Sequence, residues 1–499
     1  MTDAPADTGE DRVALIAGDR VRTYHDLDRR TNALARVLRD LGADPLERVA
    51  VLLPSDVELI ETGLASAKAA TVLVPVNWHL KRDEIAWILS DSDAQVLVTD
   101  AAFLDEAGAA LEQAPGCALL VVGEGGGRDY ERLLAAASDS PLDSDGFGGP
   151  EYFFYTSGTT GRPGGVERPP PQVGQPPAAL AVAAMWGLTA DDVYLACSPL
   201  YHATSAYAFT YLLLGGIVVV LPRWDAREWL RLVERHHVTT TFMTPAHFIR
   251  VLEVPEDERR RYDTSSLRLI LHAAAPCPVP VKHRMIDAFP SAAIWEFYGA
   301  SEGGATRISP EEWLAHPGSV GRPWPGTEVE IRDDEGELVA AGERGRVYIR
   351  PPAAAARFRY HRDDEKTAQA WQADAFTVGD VGYLDEDGYL FVTDRSSDMI
   401  LRGGVNVYPA EIEQCLYTHP AVVDCAVLGV PDERYGEAIL ALVEARRPVT
   451  TDELGRHCGE HLAGFKCPQT FEVVAELPRD PNGKVLKRLL REAHGAGDQ

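Results

Sequence analysis

At 499 residues the chain has the length for a large core and for two or more domains. Its net charge of −28 argues against a general nucleic-acid or anionic-membrane surface, so a polyanionic ligand would have to be met by local cations. No stretch approaches the roughly 18 uninterrupted apolar residues of a membrane span. The seven scattered cysteines contain no Cys-x-x-Cys pair, which favours reduced thiols and a cytoplasmic location.

In chain order, residues 1–12 are acidic and small, without the apolar segment of a signal peptide, and read as a frayed tail. Short apolar runs at 48–53, 71–76 and 95–98 alternate with segments of helical spacing at 24–41 and 56–68, the pattern of βαβ units and a parallel sheet. Thr23 and Gly42 are the expected caps of the first helix. After an aromatic strand at 151–155 comes Thr156-Ser157-Gly158-Thr159-Thr160-Gly161. Backbone N–H groups, small hydroxyls and glycines in that combination form a phosphate cradle rather than a linker. It is not the nucleotide-triphosphatase loop, which requires Gly-Lys-Ser/Thr opening a helix. A proline-rich stretch, 168–177, follows as a stiff loop.

Strand candidates resume at 217–221, 239–243, 269–272 and 293–297, and the texture becomes antiparallel β near 322–350. Beyond Asp394 a glycine hairpin (Gly403-Gly404), a helix entered through Pro409 and a strand, helix and strand make a compact α+β unit of about 100 residues. The expected organisation is a large α/β N-terminal domain, 1–394, with parallel-sheet subdomains and an antiparallel β section, and a small mobile α+β C-terminal domain, 395–499. His457, Cys458 and His461 have ligand chemistry, but no second cluster in the sequence completes a metal site, and their segment reads as an amphipathic helix with solvated or core positions.

Four further stretches join the phosphate cradle. They are Ser198-Pro-Leu-Tyr-His-Ala203, Glu296-Phe-Tyr-Gly-Ala-Ser-Glu302, Thr377-Val-Gly-Asp380 with Asp394-Arg395-Ser-Ser-Asp398, and Pro478-Arg-Asp-Pro-Asn-Gly-Lys484. In this order and spacing, over essentially the whole chain, they resemble the adenylate-forming (AMP-binding) superfamily of acyl-CoA synthetases, aryl-acid CoA ligases, peptide-synthetase adenylation domains and luciferases. The resemblance implies an AMP-forming ligase that adenylates a small-molecule carboxylic acid, aryl or medium-chain, with ATP, releases pyrophosphate and passes the acyl group to the thiol of CoA.

By the same resemblance, Thr156 to Gly161 hold the phosphates and Glu302 holds Mg²⁺. Glu296, Phe297, Tyr298, Ser301 and Ala275 line the nucleotide, with Tyr298 on the adenine and 274–276 along its other face. Asp380 accepts from the ribose hydroxyls and Arg395 reinforces that end. Lys484 is the catalytic cation of the first step. The small domain then swings about Ser397, so that Gly403 and Gly404 line the thiol tunnel. Tyr201, His202, Ser205, His247, Ala273 and Ala274 form the acid pocket, with His202 contacting the acyl carboxylate.

One departure stands out. Gly164 occupies the position where relatives carry the loop lysine, leaving Arg162 or Arg168 to compensate, or an unusual ligand. Alternative acceptors or substrates therefore stay open: carrier-protein loading, nitrite activation for diazotisation of an aryl amine, or a degenerate nucleotide sensor. The sequence carries no signature of an oligomeric state.

Overall fold

Short apolar runs and a capped amphipathic helix set the local structure of the first elements. Thr23 accepts a hydrogen bond from the Asp26 N–H and starts the helix Tyr24–Asp40, which Gly42 follows at φ +102°. The computed structural model describes residues 12–124, 128–142, 146–156, 163–169, 178–202, 204–353, 355–395, 398–402, 405–432, 435–481 and 483–495. It packs as two units, one of Met1–Phe242 with Ala356–Thr367, the other of Met243–Ala355 with Ala368–Gln499.

In the first unit a parallel sheet runs in the order Ala118–Val122, Val96–Asp100, Arg48–Leu52, Val72–Pro75 and Glu151–Tyr152. Its strands are nearly continuous apolar runs because helices cover both faces. A second group places Val13–Ala17, Ile217–Val220 and Val193–Ala196 side by side, all parallel. A small antiparallel sheet joins Phe154–Thr156, Gly164–Glu167 and Arg359–Tyr360. Glu61, fully buried, is satisfied by Arg30 at 2.6 Å, Arg22 at 3.2 Å and the Tyr130 hydroxyl at 2.8 Å.

In the second unit, Leu269–His272 and Ala293–Ala300 are parallel, and Gly303–Ile308 turns back antiparallel to the latter. An antiparallel sheet follows, with Gly345–Arg350 pairing Glu328–Arg332 and Asp380–Leu384, which in turn pairs Leu390–Arg395. The residues beyond have their own sheet, built on the long antiparallel pair Val422–Asp432 and Gly436–Ala445. The helices Pro409–Tyr417 and Thr451–His461 pack on it around Ile412, Leu416, Val427 and Leu454. The boundary expected at 394–395 cuts the strand Leu390–Arg395 before its last residue, ahead of the second of these sheets. Inside the unit the later residues also pack on the earlier ones: the Gln414 side chain accepts from the Val279 N–H at 3.0 Å. Among the described residues no helix is long and apolar enough to cross a membrane, and all seven cysteines are free thiols.

One buried ion pair braces the second unit. Lys282, on the helix Val279–Ala288, is fully buried and donates to Glu296 on the strand Ala293–Ala300 at 2.7 Å. Its ammonium also lies 4.7 Å from the Trp313 ring. Removing one partner strands the other charge in the core, so Lys282→Met should cost about 3–5 kcal/mol in chemical denaturation. Adding Glu296→Leu should recover most of that loss. A double variant no more stable than Lys282→Met would show that the pair is not the brace.

Candidate active site

The strand Ala293–Ala300 and its return partner Gly303–Ile308 are connected by only Ser301 and Glu302, both half-buried at the tip. Glycine permits the tight closure: a Cβ on Gly299 would stand 2.8 Å from the Gly304 Cα, and one on Gly304 would stand 2.1 Å from the Trp324 ring. The register slips between Tyr298 and Gly299, a bulge of the kind that re-aims a side chain. The Tyr298 hydroxyl donates to Asp380 Oδ2 at 2.6 Å, bringing together two residues far apart in the chain. Asp380 is 7% exposed and stands opposite Arg395 in the antiparallel register. Phe297 lies along the same strand with its ring 6.4 Å from that of Trp324.

Glu296 has an internal use. Its carboxylate is bound by Lys282 and lies 3.5 Å from His272 Nε2, so any part it takes in holding a nucleotide falls to its strand backbone. Burial pushes its carboxyl upward and Lys282 opposes that. His272 is close enough for an ion pair only in name. Complete burial and the neighbouring ammonium hold its pKa far below the ordinary value, so the imidazole is neutral.

After the strand Leu269–His272 the chain makes a sharp departure. Ala274 has φ +78°, a left-handed conformation that costs an alanine about 1–2 kcal/mol, a strain of the kind found at ligand clamps. Ala273 is buried, Ala274 exposed and Ala275 half-buried. His247, in the first turn of the helix Pro245–Glu253, is 2% exposed and accepts the Thr244 N–H through Nδ1 at 3.1 Å. The residue before it, Ala246, receives the turn that carries Lys484. Gly483 has φ +82°, and a Cβ there would lie 2.4 Å from the Ala246 Cβ. The turn is closed by Gly483 N–H on the Asp480 carbonyl at 2.8 Å and by Lys484 N–H on Asp480 Oδ1 at 2.9 Å, and Lys484 itself is exposed.

In the first unit the Tyr201 and His202 rings meet at 52° with centroids 4.5 Å apart, ahead of the helix Ser205–Leu214. Ser205 Oγ donates to the His202 carbonyl at 2.9 Å and shares a hydrogen bond with the Tyr152 hydroxyl at 3.1 Å. His202 Nε2 is buried and has no hydrogen-bond partner among the described residues. The strands flanking the phosphate cradle pair in register, Thr156 opposite Gly164. Ser157, Gly158, Thr159, Thr160, Gly161 and Arg162 lie outside the described residues, as do Ser397, Gly403 and Gly404.

One residue near the cradle is missed by sequence reasoning. A Cβ on Gly164 would meet the ammonium of Lys366 at 3.5 Å, and that ammonium rests 4.1 Å from the Tyr360 ring. Lys366 is half-buried on the helix Asp364–Ala370, whereas Arg168 is exposed. Only the pairing of Arg359–Tyr360 with Gly164–Glu167 brings Lys366 there, and no local motif signals it.

Burial lowers the pKa of His202 to about 4 and that of His247 to about 3, so both imidazoles are neutral at physiological pH. The unfolded chain takes up a proton below pH 6.5, while folded His247 refuses it until about pH 3. Stability from this group is therefore complete above pH 6.5 and is lost as pH falls from there towards 3, by about 1.4 kcal/mol per pH unit. His247→Asn, which keeps an acceptor for the Thr244 N–H, should flatten the decline of Tm between about pH 6 and pH 4. An unchanged slope would mean that His247 is not buried in the neutral form.

Residues 2–358 match the family model "AMP-binding enzyme", and residues 411–484 match "AMP-binding enzyme C-terminal domain". The chain is 33% identical over 482 residues to the long-chain-fatty-acid–CoA ligase FadD13 of Mycobacterium tuberculosis, covering 95% of this chain and 93% of that protein. It is 34% identical over 491 residues to a feruloyl-CoA synthase of Amycolatopsis sp, covering 97% and 96%. The crystal structure of the anthranilate CoA ligase AuaEII in complex with anthranoyl-AMP superposes with a TM-score of 0.87 at 27% identity, covering 97% of this chain and 95% of that one. Matched in both its larger and its C-terminal part, the chain belongs to the AMP-binding enzymes, the adenylate-forming superfamily that its motifs resemble.

Proposed function

We propose that this enzyme adenylates an aryl or medium-chain carboxylic acid with ATP and transfers the acyl group to the thiol of CoA. Near-complete alignment with two CoA ligases, one for a fatty acid and one for an aromatic acid, carries this reading. The site chemistry supports it. In the first step a carboxylate oxygen attacks the α-phosphorus, the bond to the bridging oxygen breaks, and pyrophosphate leaves. In the second, the thiol attacks the acyl carbonyl and AMP departs.

Each residue has a part consistent with its setting. Asp380, oriented by the Tyr298 hydroxyl, accepts from the ribose hydroxyls. The cradle from Thr156 to Gly161 wraps the phosphates. The neutral His202, whose buried Nε2 has no protein partner among the described residues, contacts the acyl carboxylate through that atom, since an unpaired buried polar group costs about 1–3 kcal/mol until a ligand satisfies it. Lys484, projected by its pinned turn, offsets the charge that gathers at the α-phosphate. Glu302, a carboxylate at a hairpin tip, suits a hard cation, and Mg²⁺ held there would neutralise phosphate oxygens. Residues 395–499 act as the mobile part, turning at Ser397 to bring Gly403 and Gly404 to the thiol path. The free cysteines are consistent with a reducing, cytoplasmic setting.

The ammonium of Lys366, 3.5 Å from where a Cβ on residue 164 would stand, supports its serving in place of the lysine absent at 164. Lys366→Ala should raise KM for ATP roughly tenfold, and Gly164→Lys in that background should restore it. Unchanged KM in the single variant would remove Lys366 from the site.

Incubation with ATP and a panel of aryl and medium-chain acids should release pyrophosphate, with thioester forming only when CoA is present. Lys484→Ala should slow adenylate formation by a factor on the order of 10² or more while sparing thioester formation from preformed acyl-adenylate. No pyrophosphate with any acid would overturn the assignment, and equal loss of both steps would overturn the two-conformation mechanism.

A further inference from the structure

The two histidines at 457 and 461 find their missing partner in another helix. They lie one turn apart on Thr451–His461, with ring centroids 4.5 Å apart. Cys415, near the end of the helix Pro409–Tyr417, completes a group of three whose ligand-capable atoms all lie within 4.8 Å of one another. We propose that Cys415, His457 and His461 form a binding site for a thiophilic divalent cation of the Zn²⁺ class.

Three features favour a ligand site over a chance cluster. First, each ring is already oriented by a carbonyl: His457 Nε2 lies 3.0 Å from the Cys415 carbonyl oxygen, and His461 Nδ1 lies 2.8 Å from that of His457. A hydrogen bond of this kind fixes a ring's orientation. Secondly, the closure needed is small. Tetrahedral bonds of about 2.0–2.1 Å to nitrogen and 2.3 Å to sulfur put ligand atoms roughly 3.3–3.6 Å apart, within rotamer adjustment of the observed limit. Thirdly, access is graded: Cys415 is buried, His457 half-buried and His461 exposed, which leaves an entry path and room for water as fourth ligand.

Donor chemistry separates this site from the magnesium chemistry of ATP. One thiolate and two imidazoles suit zinc and copper, whereas Mg²⁺ demands oxygen. The other candidate group, His316, Asp385 and Asp387, is less suited. Asp385 Oδ1 is taken by the N–H groups of Asp387 and Tyr389 at 3.0 and 2.8 Å, which form the local turn.

The test uses the full-length reduced protein, stripped with a chelator and titrated with Zn²⁺ against a chromophoric competitor, then with Co²⁺ followed by absorption. One equivalent should bind, and the cobalt form should show a thiolate charge-transfer band. Cys415→Ser should abolish that band. His461→Ala, a change at an exposed helix end, should weaken Zn²⁺ binding by about tenfold or more without altering pyrophosphate release. Absence of tight binding, a cobalt spectrum lacking the thiolate band, or parental affinity in both variants would overturn the site. Because the readout is metal affinity, it stands or falls apart from the ligase assignment.

Discussion

The Lys282–Glu296 pair fixes the frame on which the candidate site residues of the second unit are built. A fully buried lysine and carboxylate gain little net energy over an apolar pair of equal size, so the pair is better understood as a specifier of position. It joins the helix Val279–Ala288 to the strand Ala293–Ala300, and the loop holding Ala273, Ala274 and Ala275 lies between that helix and the strand Leu269–His272. His272 stands opposite Glu296 in the parallel register and packs neutral against it. The loop is thus held at both ends, which is the condition under which an alanine can be kept at φ +78°. Two residues beyond Glu296, the same strand presents Tyr298 to Asp380, and four beyond that the hairpin tip presents Glu302.

Electrostatics near the proposed ligands is economical. The chain carries a net charge of −28, and burial keeps His202 and His247 neutral, so neither adds a positive charge. Lys282 is consumed by Glu296. The two lysines proposed to meet phosphate are each set by a local device: Lys484 by a glycine turn, Lys366 by an aromatic face and a helix.

How far the chain could be read in advance depends on the range of the contact. The parallel strands, the capped first helix and the helix entered at Pro409 follow from periodicity and capping, all local, whereas the hairpin at Ser301–Glu302 was seen only in the structure. The motifs were legible because their spacing is local too. What lay hidden was every relation set by register or helix packing. Tyr298 meets Asp380 only through the sheet, and Glu296 reads as a nucleotide contact until Lys282 is seen beneath it. Cys415 reads as one more scattered thiol until its helix is packed on the one carrying His457 and His461. Tertiary neighbours of this kind leave no mark in a window of a few residues.

The proposed exchange of a loop lysine for Lys366 would change more than the address of one charge. A lysine at 164 would start at the edge of the cradle and fix its ammonium only by its own long, flexible stem, with about 2 kcal/mol of rotamer entropy to lose. Lys366 begins on a helix and rests on Tyr360, whose strand is registered to the cradle's own return strand through Val166. Its ammonium is therefore partly ordered before any ligand arrives. The missing side chain at 164 is what makes room, since the position a Cβ would take is 3.5 Å from that ammonium and further side-chain atoms would compete for the same space. In the proposed reading, glycine at 164 and lysine at 366 are one substitution made in two places.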